Sequence, residues 1–152
     1  MRKKISPLKS LQILHTAMLA GMVLFCMVSA VVKLSGKHID STLDKTLQVV
    51  VLIVSFGCVR AAFFIFNKRL QSADPSSSAT EKLSVYRTAS IIKWALIEGP
   101  VLFAVICFML TRNYAFIALA FVLIVLFAIQ APSKLKAMLQ LQITEQEFDS
   151  LE

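Results

Sequence analysis

The sequence predicts an all-α membrane protein built from four transmembrane helices. The 152-residue chain is 57% hydrophobic, which exceeds the roughly 45–50% apolar content of a soluble domain. It also contains four long apolar stretches, and a helix needs roughly 20 apolar residues to cross the hydrocarbon of a bilayer. The predicted spans are 13–32, 47–66, 89–110 and 115–131. We therefore expect one transmembrane bundle over 1–132 and a cytoplasmic amphipathic tail over 133–152.

Positive charge is distributed unequally among the segments outside the spans. Ten Lys and Arg lie in the N-terminal tail, the middle loop and the C-terminal tail, and four lie in the other two connections. Because Lys and Arg favour the cytoplasmic side of a membrane, we expect both termini in the cytoplasm. The net charge of +7 is explained in this way, so no nucleic-acid partner is expected. The same basic face is expected to contact anionic lipid headgroups.

The first and third spans match each other without gaps. The segment ILHTAMLAGMVLFCMV at 13–28 aligns with IIKWALIEGPVLFAVI at 91–106. The second and fourth spans share a shorter apolar string, VLIV-x-F. These matches, in the right order, predict a duplicated helical hairpin whose two copies are related by an axis along the membrane normal.

The repeat keeps a pair of small residues in each copy. Ala17 and Gly21 lie four residues apart in the first span, and Ala95 and Gly99 lie at the matching positions of the third. Small residues at this spacing allow membrane helices to approach closely. Such pairs are common in membrane helices, but their recurrence at equivalent positions predicts that the first and third spans pack along them.

The third span carries one acid, Glu98, which is followed by Gly99 and Pro100. An acid in the hydrocarbon is costly and usually has a partner or marks a pathway. Arg60 is the candidate partner, because at 1.5 Å per residue it lies roughly 9 Å, and Glu98 roughly 13 Å, inside the cytoplasmic boundary. Pro100 cannot donate a backbone hydrogen bond, so a helix kink is predicted at Gly99 and Pro100.

Three interpretations of this charged site stay open. A buried pair of Arg60 and Glu98 would fix the register of two helices. Glu98 would instead bind a proton or an ion if it lines a pathway. Alternatively, the charges reach the headgroups without pairing. Lys93 is expected to extend to the headgroups, and His15 is expected to be interfacial.

The three cysteines lie one per span and form no metal or redox motif. No metal ion, cofactor or catalytic residue is therefore predicted, and we do not expect an enzyme.

In the middle loop, Ser78 and Glu81 have the spacing of a capping box, which predicts that the third helix begins near Ala79. After Pro132, the segment SKLKAMLQLQ predicts a short interfacial helix, and a second short helix is predicted from Thr144.

Around ALIEGPVLF the chain resembles uncharacterised small four-helix membrane proteins of bacteria, which implies the fold and a multi-pass location in the inner membrane. The architecture is also loosely similar to the proteolipids of rotary ATPases, which are duplicated hairpins with a membrane carboxylate. This chain differs from them because it has four glycines and carries its acid on the first helix of the hairpin. Small multidrug transporters are similar in having four spans and one membrane glutamate, but they are shorter.

Function is predicted only in outline. We expect a non-catalytic membrane protein that acts as a homo-oligomer or as an accessory subunit of a membrane partner, because the small-residue pairs favour helix packing. The alternative is a proton-coupled small transporter or ion-conducting unit in which Glu98 is the carrier. A third hypothesis is a membrane-organising protein that binds anionic lipids through its basic face.

Overall fold

The computed structural model describes residues 7–32, 41–72, 78–141, 143, 144 and 146. All regular secondary structure in these ranges is helical, which confirms the all-α prediction. The helices are α1 (Pro7–Val31), α2 (Ser41–Gln71), α3 (Ala79–Thr111), α4 (Tyr114–Ala128) and α5 (Lys134–Leu141).

Three of these helices are long and apolar enough to cross a membrane, namely α1, α2 from Leu43 onward, and α3. The chain is therefore described as a multi-pass membrane protein. The fourth apolar helix, α4, has 15 residues and is roughly 22 Å long, which is less than the roughly 30 Å of the hydrocarbon core. A fourth complete span and the cytoplasmic position of both termini therefore stay predictions.

Side-chain hydrogen bonds cap the N-termini of α3 and α4. The Ser78 hydroxyl accepts from the Glu81 backbone N–H, and the Glu81 carboxylate accepts from the Ser78 N–H at 3.0 Å. This arrangement confirms the predicted capping box and the start of α3 at Ala79. At the other end, Arg112 adopts a left-handed backbone conformation with φ 59°, and the Asn113 side chain accepts from Ala115 N–H as the cap of α4. This short turn makes α3 and α4 antiparallel neighbours.

The core of the molecule is organised around α3. This helix contacts each of the other four helices. In its most apolar window 50% of the residues are buried, compared with 17% in α1 and 22% in α2. The least exposed large side chains include three aromatic residues, Trp94, Phe116 and Phe127, which come from α3 and α4. Consequently α3 is the central helix, and α1 and α2 are peripheral helices with large apolar faces that remain uncovered.

The two halves of the predicted repeat are packed differently. The helices α3 and α4 form a closely packed hairpin, whereas α1 packs on α3 and α4, and α2 packs mainly on α3. Among the described residues, α1 and α2 share no interface of comparable extent. The duplicated hairpin is therefore a prediction from the sequence, without a matching pair of hairpins in the described structure.

The predicted helix after Pro132 is present as α5. Ala137 and Leu141 of α5 are buried, while Leu135 and Leu139 on its other side are 65% and 70% exposed. Because both sides carry apolar residues, the outer side suits contact with the lipid interface. The second short helix, predicted from Thr144, includes residues 145 and 147, which lie outside the described residues.

Candidate functional site

The predicted charged site is not assembled in the described structure. Arg60 is exposed on α2, and Glu98 is half-buried on α3. No hydrogen bond or ion pair joins either side chain to another described residue. Pro100 is buried within α3, and the α-helix continues on both sides of Gly99 and Pro100. The structure therefore does not bring Arg60 and Glu98 together, and a kink at the proline stays a prediction.

The four small residues predicted to pack the first and third spans face outward. Ala17, Gly21, Ala95 and Gly99 are all exposed. A Cβ atom added to Gly21 or Gly99 would meet nothing within 4 Å. The contact between α1 and α3 therefore does not run along these residues within the described chain. These four residues are positioned to pack against another molecule, and such packing stays a prediction.

A buried aromatic cluster that the sequence analysis did not predict joins α1, α3 and α4. His15 of α1 is 3% exposed and stacks on Phe127 of α4, with ring centroids 4.5 Å apart. Its Nε2 lies 3.1 Å from the Phe127 carbonyl oxygen, which requires Nε2–H to donate. The Trp94 ring of α3 meets the His15 ring edge-on at 4.8 Å. His15 is therefore a core residue of the described bundle, and its expected position at the membrane interface stays a prediction.

Lys93 is buried next to this cluster, on the side of α3 that faces α2. It is 9% exposed, and its ammonium group lies 4.0 Å from the centroid of the Phe66 ring. A cation at this distance is attracted to the face of an aromatic ring. The ammonium makes no ion pair with a described residue. The expectation that Lys93 extends to the headgroups is therefore wrong, since its charge is held inside by a ring.

Backbone carbonyls at the end of α4 receive two further donors. Lys136 of α5 donates to the carbonyl oxygens of Ile129 and Ala131 at 3.0 and 3.2 Å. The Gln12 side chain of α1 donates to the Pro132 carbonyl oxygen at 3.1 Å. A cation near the last carbonyls of a helix is favourable because those groups lack intrahelical partners. These bonds attach α5 and α1 to the corner between α4 and α5.

The opposite end of the bundle is held by an acid. Asn113 donates to one Asp44 carboxylate oxygen at 2.7 Å, and Gln48 donates to the same oxygen at 3.1 Å. Arg112 donates to the carbonyl oxygen of Val32 at 2.8 Å. This network ties the end of α1, the start of α2 and the turn between α3 and α4.

Several buried polar atoms in the described part have no hydrogen-bond partner. At the end that contains α5 they are Trp94 Nε1 and both amide atoms of Gln130, and elsewhere they are Ser55 Oγ and Asp44 Oδ1. A buried polar group without a partner costs free energy. The end containing α5 thus combines one buried cation, Lys93, with unused donors on Trp94 and Gln130 and an unused acceptor on Gln130, a set that suits a polar occupant.

Described residues of α1 line one open groove, and described residues of α2 line another. The α1 groove has a volume of about 600 Å³ and is lined by Lys9, Gln12, Ile13, Thr16, Ala17 and Ala20. The α2 groove has a volume of about 560 Å³ and is lined by Arg60, Ala61, Phe63, Phe64 and Asn67. Both contain residues that the sequence analysis selected, Ala17 in the first and Arg60 in the second. No group of three or more His, Cys, Asp or Glu that could hold a metal ion is found among the described residues.

Comparisons of this chain with protein-family models, with curated proteins and with solved structures find no match. The resemblances noted from the sequence therefore rest on the quoted residues alone, and function has to be argued from the geometry.

Proposed function

We propose that this chain is a non-catalytic multi-pass protein of a bacterial inner membrane that functions as a homo-oligomer, with the α1 groove as the contact between copies. In this proposal α4 completes a fourth span, and the termini and α5 lie on the cytoplasmic side. The observation that carries the proposal is the outward-facing stripe of small residues in α1, which includes Ala17 and Gly21 and borders an open groove.

The exposure of α1 supports lateral association. Only 17% of its most apolar window is buried, so most of its surface is free to contact lipid or another helix. Lipid is as apolar as leucine, so helices in membranes associate through close van der Waals packing rather than through hydrophobic burial. A groove lined by Ala17, Ala20 and Thr16 offers such packing, because these short side chains let a second backbone approach.

The experiment is a mass measurement in mild detergent, by light scattering, on matched variants. Ala17→Leu fills the α1 groove, and we expect it to convert the oligomer to monomer. Ala30→Leu makes the same change at an exposed position of α1 that does not line the groove, and we expect it to leave the mass unchanged. A monomeric natural protein that co-purifies with no partner would overturn the proposal. If the natural protein is monomeric but co-purifies with a different membrane protein, and Ala17→Leu abolishes this co-purification, the chain is an accessory subunit of that partner.

A proton-coupled transporter or ion-conducting unit is the second candidate. The observation that favours it is the half-buried Glu98, an acid within an apolar span that makes no hydrogen bond or ion pair with a described residue. Acids at such positions mark ion pathways by default.

This candidate is tested by proton flux into liposomes that contain the purified protein. Glu98→Gln should abolish flux while the protein stays folded, and Glu81→Gln should retain flux, because Glu81 acts in the cap of α3. Flux that is no higher than in empty liposomes, or flux that persists in Glu98→Gln, rules out Glu98 as the carrier.

A further inference from the structure

We infer that the α2 groove binds the phosphate of an anionic phospholipid, with Arg60 as the phosphate ligand. The groove occupies one face of α2, because Arg60, Phe63, Phe64 and Asn67 are spaced at positions i, i+3, i+4 and i+7. The opposite face of this segment, with Ala62 and Phe66, is buried. The polar residues therefore stand at the two ends of a groove whose middle is aromatic.

The charge of the groove is not neutralised by the described protein. Of the acids in the described ranges, Asp44 bonds Asn113 at the other end of the bundle, and Glu81 belongs to the cap of α3. Glu98 makes no ion pair with a described residue. Phe63, which forms one wall, also lies 5.9 Å from the buried ammonium of Lys93. The groove thus has one exposed cation, Arg60. A second cation, Lys93, is buried on the other side of the Phe63 ring.

In the proposed orientation, the groove runs from the basic end of α2 into the apolar part of the span. Asn67 immediately precedes Lys68 and Arg69, the basic residues of the last turn of α2. Arg60 lies seven residues earlier, roughly 10 Å deeper along the helix, and its long side chain can extend back toward the surface. An arginine fully inside hydrocarbon is costly. A phosphate held between Arg60 and Asn67 would offset part of that cost and would receive a planar two-point contact from the guanidinium.

The apolar surface beyond the groove provides a path for the acyl chains. Phe64 is 68% exposed, and Phe56, Ile53 and Leu52, nearer the middle of α2, are 71%, 67% and 55% exposed. Together they form an open apolar strip that leads away from Arg60 into the hydrocarbon. The volume of about 560 Å³ is within the range of sites for small molecules. The occupant is therefore a lipid with a negatively charged headgroup rather than a free anion.

The inference is tested by mass spectrometry of the intact protein released from nanodiscs of equal parts phosphatidylglycerol and phosphatidylcholine. The natural chain should retain phosphatidylglycerol in preference to phosphatidylcholine by roughly tenfold, because both lipids offer Arg60 a phosphate but the quaternary ammonium of phosphatidylcholine opposes the nearby cations. Arg60→Gln should abolish this preference. Arg69→Gln removes the same charge from the same helix outside the groove, and it should leave the preference intact. Equal preference in Arg60→Gln and in the natural chain would overturn the inference.

Two additions keep the test decisive. Arg60→Lys retains the charge without the planar fork, so it covers the case in which Arg60→Gln does not fold. We expect it to lower the preference for phosphatidylglycerol, and an unchanged preference would count against the two-point guanidinium contact. In a second arm, inorganic phosphate is added to the nanodiscs. Retention that persists supports a lipid site, and displacement of the lipid by phosphate would show a site for a soluble anion instead. Neither arm depends on oligomeric mass, so the proposed function is tested separately.

Discussion

The two ends of the bundle are joined by different chemistry. At the end where α3 turns into α4, the anion Asp44 receives hydrogen bonds from Asn113 and Gln48. At the end that contains α5, the buried charge is a cation, Lys93, which is held by an aromatic ring. The first end directs two donors from the same chain to one oxygen of its carboxylate and leaves the other oxygen without a partner, and the second holds its charge with an aromatic ring and without a described carboxylate.

This difference follows from where each charge can find a partner. An acid that faces away from the basic side of a membrane meets few lipid cations, so it depends on donors within the protein. Cations on the basic side can share the phosphates of the adjacent lipid leaflet. In the proposed orientation, the end with α5 would therefore not need internal acids. His15, Trp94 and Phe127 close the core at this end, and Arg60 is exposed.

The largest expected effect comes from removing the ring on which His15 stacks. Phe127→Ala should lower the free energy of unfolding by about 2–3 kcal/mol, less than the roughly 3–5 kcal/mol of soluble cores because lipid also solvates apolar groups. Unfolding in mixed detergent micelles measures this change. Phe121→Ala is the control, since Phe121 is on the same helix and is 66% exposed, and it should change stability by less than about 0.5 kcal/mol. Equal losses in the two variants would show that the aromatic cluster does not hold this end together.

The opposite end is tested at Asn113, which caps α4 and also donates to Asp44. Asn113→Ala removes both interactions, and we expect it to lower the free energy of unfolding by about 2 kcal/mol. Asn113→Asp keeps a capping oxygen but places a carboxylate beside Asp44, so it should also destabilise. Combining Asn113→Asp with Asp44→Asn exchanges donor and acceptor. If this double variant recovers no stability in the same unfolding measurement, the hydrogen bond does not account for the effect.

The sequence was sufficient for features that depend on local rules. Apolar length predicts the three long helices, and the spacing of Ser78 and Glu81 predicts the start of α3 to the residue. These features depend on neighbours within a few positions of the chain. The C-terminal helix after Pro132 was predictable for the same reason, because its alternating charged and apolar residues directly follow a helix-ending proline.

The sequence could not predict which face of each span is covered. Height along a helix suggested that Arg60 and Glu98 meet, but height leaves the rotation of each helix undetermined, and Arg60 faces away from the core. His15 and Lys93 were expected near the surface because they are polar, and their aromatic partners come from distant parts of the chain. One available signal was their alignment at equivalent positions of the repeat. That match could have directed attention to both residues.

The smallest expected effect concerns the attachment of α5 to α4. Lys136→Met removes the donor to the carbonyl oxygens of Ile129 and Ala131, and a cation at a helix end contributes about 0.3–1 kcal/mol. We expect a loss of that size in the free energy of unfolding and faster backbone hydrogen exchange in α5. Gln140→Met changes an exposed polar side chain of the same helix while both carbonyls keep their donor, so it should have the smaller effect on α5. If the two variants are indistinguishable, the hydrogen bonds of Lys136 do not attach α5, and directed hydrogen bonds hold only the Asp44 end.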